Sequence, residues 1–315
     1  MNKSTHVDRR QFLSQSAAVV AGLSGLAGTG LANAASLLQD RQTSGEGAPT
    51  QEMKKAVKIG MVQVQGSLTD KFKLLKELGF DGVEMNSPGL NQDEAKRARD
   101  EAELPIHGVV DSKHWNDTLS HPDPDVRARG VEALQTALRD AEAIGATSVL
   151  LVPAVVNKEV SYADAYERSQ AEIRKAIPLA EELGIKILLE NVWNNFLLSP
   201  LEEARYIDEL ESDVMGAYFD VGNVVRYGWP EHWIRTLGHR IGKLDIKEYS
   251  RKKQSNEGIW RGFEVELLEG DCDWPAVMTA LRDIGFSGWG TAEIPGGNRE
   301  RLTDIAERMD RIFAS

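Results

Sequence analysis

The chain has 315 residues, of which 37 are Lys or Arg and 49 are Asp or Glu, for a net charge of −12. With 41% hydrophobic residues and a mean hydropathy of −0.36 it has the composition of a soluble globular protein, and a pI near 5.1 leaves no basic face to neutralise nucleic-acid phosphates. The single cysteine, Cys272, can form neither an internal disulfide nor a four-thiolate zinc site, and no apolar run reaches the ~20 residues that span a bilayer.

Arg9 and Arg10, followed by Phe12 and Leu13, precede a small-residue apolar run over 17–31 and then Ala32-Asn33-Ala34. A basic start, a short apolar stretch and an AxA site mark residues 1–34 as an export signal. The arginine pair resembles the twin-arginine type, which a receptor reads as two adjacent guanidinium groups. Export machinery of that type is thus an expected partner, and the expected location is periplasmic or secreted. Removing Lys3, Asp8, Arg9 and Arg10 with the signal takes the charge from −12 to −14. Residues 35–56 are polar, contain Gly and Pro, and read as a linker.

From Val57 to Ser315 lie 259 residues, close to the ~250 of an eight-fold β/α barrel. Short apolar runs start at 57, 81, 104, 147, 185, 216, 241 and 288, which counts eight strands. Amphipathic stretches such as 70–79, 126–145, 166–184 and 274–285 lie between them and end in Gly79, Gly145, Gly184 and Gly285, residues suited to a left-handed helix end. Continuously apolar strands separated by helices indicate a covered parallel sheet. An open doubly wound sheet is the alternative, but no GxGxxG follows the first strand. The expected fold is α/β, a (β/α)8 TIM barrel over residues 57–315.

Barrel enzymes build their sites at the carboxyl ends of the strands, and here those ends are acidic: Glu190, Asp220, Asp245 and Glu293 close strands five to eight. Singly, each reads as a helix cap or a salt-bridged barrel residue. Four converging at one rim repel one another unless protonated or bound to a cation. A divalent metal is the simplest resolution, and oxygen ligands suit Mn, Mg or Ca better than Co or Zn.

The motifs LLEN (188–191), FDVGN (219–223), KLDIKEY (243–249) and TAEI (291–294) resemble those of the xylose-isomerase-like barrels, the superfamily of sugar phosphate isomerases and epimerases. The resemblance implies a metal site of Glu190, Asp220, Asp245 and Glu293, with the two glutamates as the acid/base pair on either face of a sugar carbon. It also marks two departures. Asp245 stands where the family's metal histidine is expected, and Asn223 stands where many ketose epimerases place a substrate-contacting histidine. Asn223 can donate and accept but carries no proton at neutral pH. Arg251 matches a sugar-binding arginine, although Lys252 and Lys253 beside it suggest ordinary solvation.

Glu84, His107, His114 and Lys247 gather near the same rim in the sequence pattern and are further substrate-binding candidates, each with a bland reading as a structural residue. A long excursion over 247–272 carries Trp260, Arg261 and Phe263, and such loops act as lids or substrate walls. Trp193, Tyr227 and Trp229 are aromatic candidates for sugar faces or for simple core. Asp271 and Asp273 read as caps.

These features point to a metal-dependent isomerase or epimerase of a sugar or keto-sugar, working by proton abstraction alpha to a carbonyl. An exported enzyme seldom meets phosphorylated sugars, which favours an unphosphorylated one. A lyase or hydrolase acting on a 3-keto-glycoside would use the same carboxylates. A non-catalytic periplasmic sugar-binding protein is the reading from another class, and retention of both glutamates argues against it. The expected partners are a small sugar, the export machinery and, in a homo-oligomer, a second copy of the chain, with neither nucleic acid nor stable membrane insertion.

Overall fold

The computed structural model describes residues 51–315; the signal and most of the linker lie outside the described residues. Eight parallel strands close in sequence order into a barrel: β1 Met53–Lys58, β2 Gly82–Ser87, β3 Ile106–Asp111, β4 Ser148–Leu151, β5 Lys186–Glu190, β6 Met215–Asp220, β7 Ile241–Ile246 and β8 Gly288–Ala292. Helices α1 Leu68–Glu77, α2 Gln92–Ala102, α3 Pro124–Ile144, α4 Tyr162–Leu183, α5 Pro200–Asp208, the short α6 Val221–Val225, α7 Pro230–Leu237, α8 Arg251–Glu257, α9 Trp274–Asp283 and α10 Arg299–Phe313 alternate with them. This is the expected (β/α)8 barrel. Among the described residues no helix is long and apolar enough to cross a membrane.

Local chemistry sets the helix ends. The Ser67 hydroxyl accepts the Asp70 N–H while the Asp70 carboxylate accepts the Ser67 N–H, a reciprocal cap on α1. Proline opens α3, α5 and α7, where its missing N–H costs nothing. Gly145 and Gly184 close α3 and α4 with φ of 79° and 66°, as their positions in the sequence predict.

Strand side chains alternate between two environments. Ile187 and Leu189 of β5, Ala217 and Phe219 of β6, and Leu244 and Ile246 of β7 face the helices and join the main core with Phe72, Phe80 and Trp274. Burying each such large side chain contributes roughly 1.5–3 kcal/mol. Leu188 and Tyr218 face inward with Leu150, so Glu190 and Asp220, two residues further along, also point to the barrel axis at its upper end. That phase turns a strand-end acid into a site residue.

One expectation is corrected. The first strand begins at Met53, four residues before the expected Val57. Its first half is masked in the sequence by Lys54 and Lys55, yet Lys55 is buried and donates to Ala306 O at 3.2 Å and Asp310 Oδ1 at 2.6 Å. The excursion over 247–272 contains α8 and a 3-10 turn at Ile259–Phe263, and its far end is tied to the buried Glu248 carboxylate, which accepts Trp274 Nε1–H and Leu268 N–H at 2.9 Å and Cys272 N–H at 3.0 Å.

Candidate active site

Glu190 at the end of β5, Asp220 of β6, Asp245 of β7 and Glu293 just past β8 each offer a carboxylate oxygen, and these four oxygens lie within 4.8 Å of one another. Asp220 and Asp245 are fully buried. The LLEN and FDVGN motifs lock together beneath them. Asn191 Oδ1 accepts the Asp220 N–H at 2.7 Å, and Asn191 Nδ2 donates to Asp220 O at 2.8 Å. Asp220 Oδ1 in turn accepts the Asn223 N–H at 2.9 Å, capping α6.

Two lysines enter the same cluster. Lys58, at the end of β1, lies 3.0 Å from both Asp245 Oδ2 and Glu293 Oε1. Lys247 lies 2.8 Å from Asp220 Oδ2 and 2.6 Å from Glu293 Oε2. Lys247 is a candidate in the sequence, but Lys58 is missed there. The signal that finds it is the alternation of β1, which puts Ala56 and Lys58 on the inward face opposite to Val57; an element started at Val57 loses that phase.

The electrostatics follow from burial and these pairs. Burial pushes the Glu190 carboxyl up to about 8, reinforced by Glu293, and burial raises Asp220 to about 6 and Asp245 well above the carboxylate range. Burial works on Glu293 in the same direction, but Lys247 and Lys58 outweigh it and hold that carboxyl well below its ordinary value. Without a cation, Glu293 is thereby held ionised while Glu190 favours its proton; a bound cation would favour the ionised form of both.

A divalent cation fits this donor set. With all four carboxylates ionised, as a bound cation would hold them, the two ammonium groups leave two negative charges, which one such ion would balance. Asp245 Oδ1 is buried with no hydrogen-bond donor among the described residues, an acceptor that a cation would satisfy. All the ligand atoms are oxygens, which matches hard ions.

Above the cluster opens a cavity of about 600 Å³ lined by Lys58, Glu190, Asn223, Lys247 and Glu293 at its floor and by His114, Trp115, Trp193, Trp260 and Phe263 further out. His114 Nδ1 accepts the Val152 N–H at 3.2 Å, which leaves Nε2 to carry the proton. Burial lowers its pKa to about 3, so it is a neutral donor.

Other candidates stand elsewhere. Glu84 is buried inside the barrel, and the absence of a side chain at Gly108 makes its room: a Cβ there would sit 2.8 Å from Glu84 Oε1. His107 is also inside, stacked on Trp289 with Nε2 3.2 Å from Thr291 Oγ1, and burial holds its pKa well down. Neither lines the cavity. Arg251 does not line it either: its guanidinium donates to Val225 O at 2.8 Å and Gly228 O at 2.6 Å and lies over Trp229. Arg261 pairs with Glu264, Tyr227 and Trp229 are exposed outside the cavity, Asp271 accepts the Arg251 N–H, and Asp273 caps α9.

The family described as the xylose isomerase-like TIM barrel matches residues 72–314. The chain belongs to that family. Similar proteins include a D-psicose 3-epimerase of Ruminiclostridium cellulolyticum, 26% identical over 180 residues that make up 54% of this chain and 57% of that protein. The L-ribulose-5-phosphate 3-epimerase UlaE of Escherichia coli K12 is 23% identical over 262 residues, 76% of this chain and 89% of its own. Among solved structures, the 3-keto-D-glucoside 4-epimerase YcjR of E. coli superimposes with a TM-score of 0.70 at 16% identity, covering 84% of this chain and all of that one. A D-tagatose 3-epimerase-like protein gives 0.70 at 20% identity, covering 83% and 97%. These two likenesses establish the shared fold.

Proposed function

We propose that this member of the family is a metal-dependent epimerase or isomerase of an unphosphorylated keto-sugar. The observation that supports it most is that Glu190 and Glu293 share one cavity above a four-carboxylate cluster, with protonation preferences driven apart by burial and by Lys58 and Lys247. Glu190, Asp220, Asp245 and Glu293 would hold the divalent ion, whose chemistry there is to polarise the substrate carbonyl. Glu293 would take the proton alpha to that carbonyl, and Glu190 would return one to the opposite face, each through its carboxyl group. His114 presents its Nε2–H, and Asn223 an amide, to sugar hydroxyls. Lys58 and Lys247 are both engaged by carboxylates, and among the described residues no other cation lines the cavity to receive a phosphate. That favours an unphosphorylated substrate over the phosphorylated one in the name of the E. coli relative.

The test is turnover of keto-sugars in D₂O with added Mn²⁺. Deuterium should enter the carbon alpha to the ketone with an intact skeleton and no nicotinamide consumed. Release of an aglycone with an unsaturated ketose makes the chain a lyase instead, and tight binding without exchange makes it a binding protein.

Export by the twin-arginine route belongs to the same reading, supported by Arg9, Arg10 and the AxA site. Replacing both arginines by lysine should retain the precursor in the cytoplasm; an unchanged periplasmic yield overturns this part.

A further inference from the structure

The cavity is two different surfaces stacked. Its floor is charged, and its outer walls are aromatic. Trp115 stands four residues past β3, whereas Trp260, on the excursion after β7, is seated beside Trp193, which follows β5, so the two indoles belong to different walls of the mouth. Both line the cavity, yet Trp115 is 50% and Trp260 65% exposed. Neither side chain is needed to fill the core.

Each indole is also braced. Trp260 leans on Trp193, 4.9 Å between ring centroids; Trp193 is backed by Phe263 at 4.7 Å and by the Arg226 guanidinium at 4.7 Å, and its Nε1–H donates to Asn223 O at 2.9 Å. Trp115 stands edge-on to His114, whose ring is fixed by Val152 N–H. A wall so held loses little freedom on meeting a ligand, the condition under which aromatic contacts add affinity.

The volume is more than one sugar ring fills. About 600 Å³ lies within the roughly 300–1,000 Å³ that holds drug-sized ligands. A keto-sugar seated on the charged floor, where Glu190 and Glu293 reach it, leaves the space between the tryptophans open. A phosphate is a poor occupant, because this outer region offers aromatic faces. A second pyranose ring is a good one: its axial C–H groups form apolar faces that lie flat on indoles while its hydroxyls point to water at the mouth.

We infer that the space between Trp115 and Trp260 is a subsite for a second ring, and hence that the substrate is a keto-glycoside rather than a free ketose. The inference rests on the reaction proposed above for the choice of which ring lies on the floor. It makes Trp115 and Trp260 specificity residues, remote from the reacting carbon.

The test compares two sugars on the full-length processed protein with Mn²⁺ present: the methyl glycoside of 3-keto-glucose and a 3-keto-disaccharide oxidised on its non-reducing ring. Dissociation constants come from calorimetry, and deuterium entry from NMR on the same samples. The disaccharide should bind more tightly, and the ratio of the two constants should fall roughly three- to tenfold in Trp115→Ala and in Trp260→Ala. Trp260→Phe, which keeps an aromatic face, should recover much of the ratio. Both indoles are solvent-exposed, so the alanine variants should fold, and circular dichroism checks this. A wild-type ratio near one, or a ratio that neither alanine variant changes, overturns the subsite. Deuterium entry into both sugars with a ratio near one leaves the reaction standing and removes the subsite. A ratio carried by the tryptophans with no deuterium in either sugar keeps the subsite and removes the reaction.

Discussion

Lys58 on β1 and Asp245 on β7 form an ion pair of 3.0 Å at the upper end of the barrel, with Asp245 wholly buried. The pair accounts for a departure seen in the sequence. An aspartate in place of the family's histidine adds a negative charge to an already acidic cluster, and Lys58 offsets it. Removing that ammonium by Lys58→Met leaves three uncompensated negative charges instead of two. Losing one partner of a buried pair costs up to about 3–5 kcal/mol, less whatever protonation of Asp245 recovers. In the presence of chelator the variant should melt well below wild type. Added Mn²⁺ should then raise its melting temperature by more than it raises that of wild type. Equal increments in the two proteins would show that Lys58 does not share the cluster's charge balance.

The same pair predicts a coupling. Asp245→His should move metal preference towards Co²⁺ or Zn²⁺, because imidazole replaces an anionic oxygen, but alone it leaves the buried Lys58 ammonium with Glu293 in place of two carboxylate partners. Lys58→Met combined with Asp245→His should therefore be more stable than the two single effects sum to, by about 1–3 kcal/mol. Denaturant titrations of all four proteins measure this, and additivity refutes it.

The barrel was legible because its strands are continuous apolar runs with acids at their ends; sequence order alone then brings Glu190, Asp220, Asp245 and Glu293 to one rim. Lys58 was not legible, because its role depends on strand phase, and the phase of β1 is hidden by the buried Lys55. Arg251 shows the opposite failure. Its position suits a sugar-binding arginine, yet a long side chain can turn either way, and here it turns to the carbonyls of Val225 and Gly228. Glu248 was invisible for a similar reason: nothing in the string KEY says that its carboxylate gathers N–H groups from residues twenty or more positions later.

Glu248→Ala strands those three donors, Leu268 N–H, Cys272 N–H and the Trp274 indole N–H. A buried donor left without an acceptor costs about 1–3 kcal/mol, and water entering the space left by the side chain relieves part of it. The variant should lose about 2–4 kcal/mol in denaturant titration. Since Glu248 also lines the cavity, KM for a keto-sugar should rise as well. Wild-type stability would mean that these hydrogen bonds are replaced by solvent at no cost.

Glu203 on α5 lies outside the site, fully buried with neither carboxylate oxygen hydrogen-bonded among the described residues. Burial raises its pKa from 4.5 to about 8. A raised carboxyl pKa favours the neutral form in the fold. Titration of Glu203 therefore costs the fold nothing below about 4.5, and stability is lost progressively as pH climbs towards about 8. Holding the proton at pH 7 costs about 3 kcal/mol. Glu203→Met, which keeps the length of the side chain, should raise the melting temperature, and by more at pH 8 than at pH 5. A gain that does not depend on pH would mean that the residue is ionised and solvated in the folded protein.

The last expectation concerns the two glutamates themselves. Glu190→Gln and Glu293→Gln keep the size of each side chain and most of its hydrogen bonding, and each removes one proton carrier. Either should lower turnover by roughly 10²- to 10⁴-fold, the usual contribution of a positioned acid or base. The two should nevertheless differ in their pH profiles. Lys247 and Lys58 favour the ionised form of Glu293, whereas burial favours the neutral form of Glu190 in the metal-free site. If Glu293 is the base and Glu190 the acid, Glu190→Gln removes the loss of rate on the alkaline side, and Glu293→Gln removes the loss on the acid side. Both carboxylates also belong to the oxygen cluster, so metal content must be measured on each variant, and the rates compared at equal occupancy. Full activity in either variant at equal occupancy excludes that glutamate from proton transfer and returns the cluster to a purely structural role on that side.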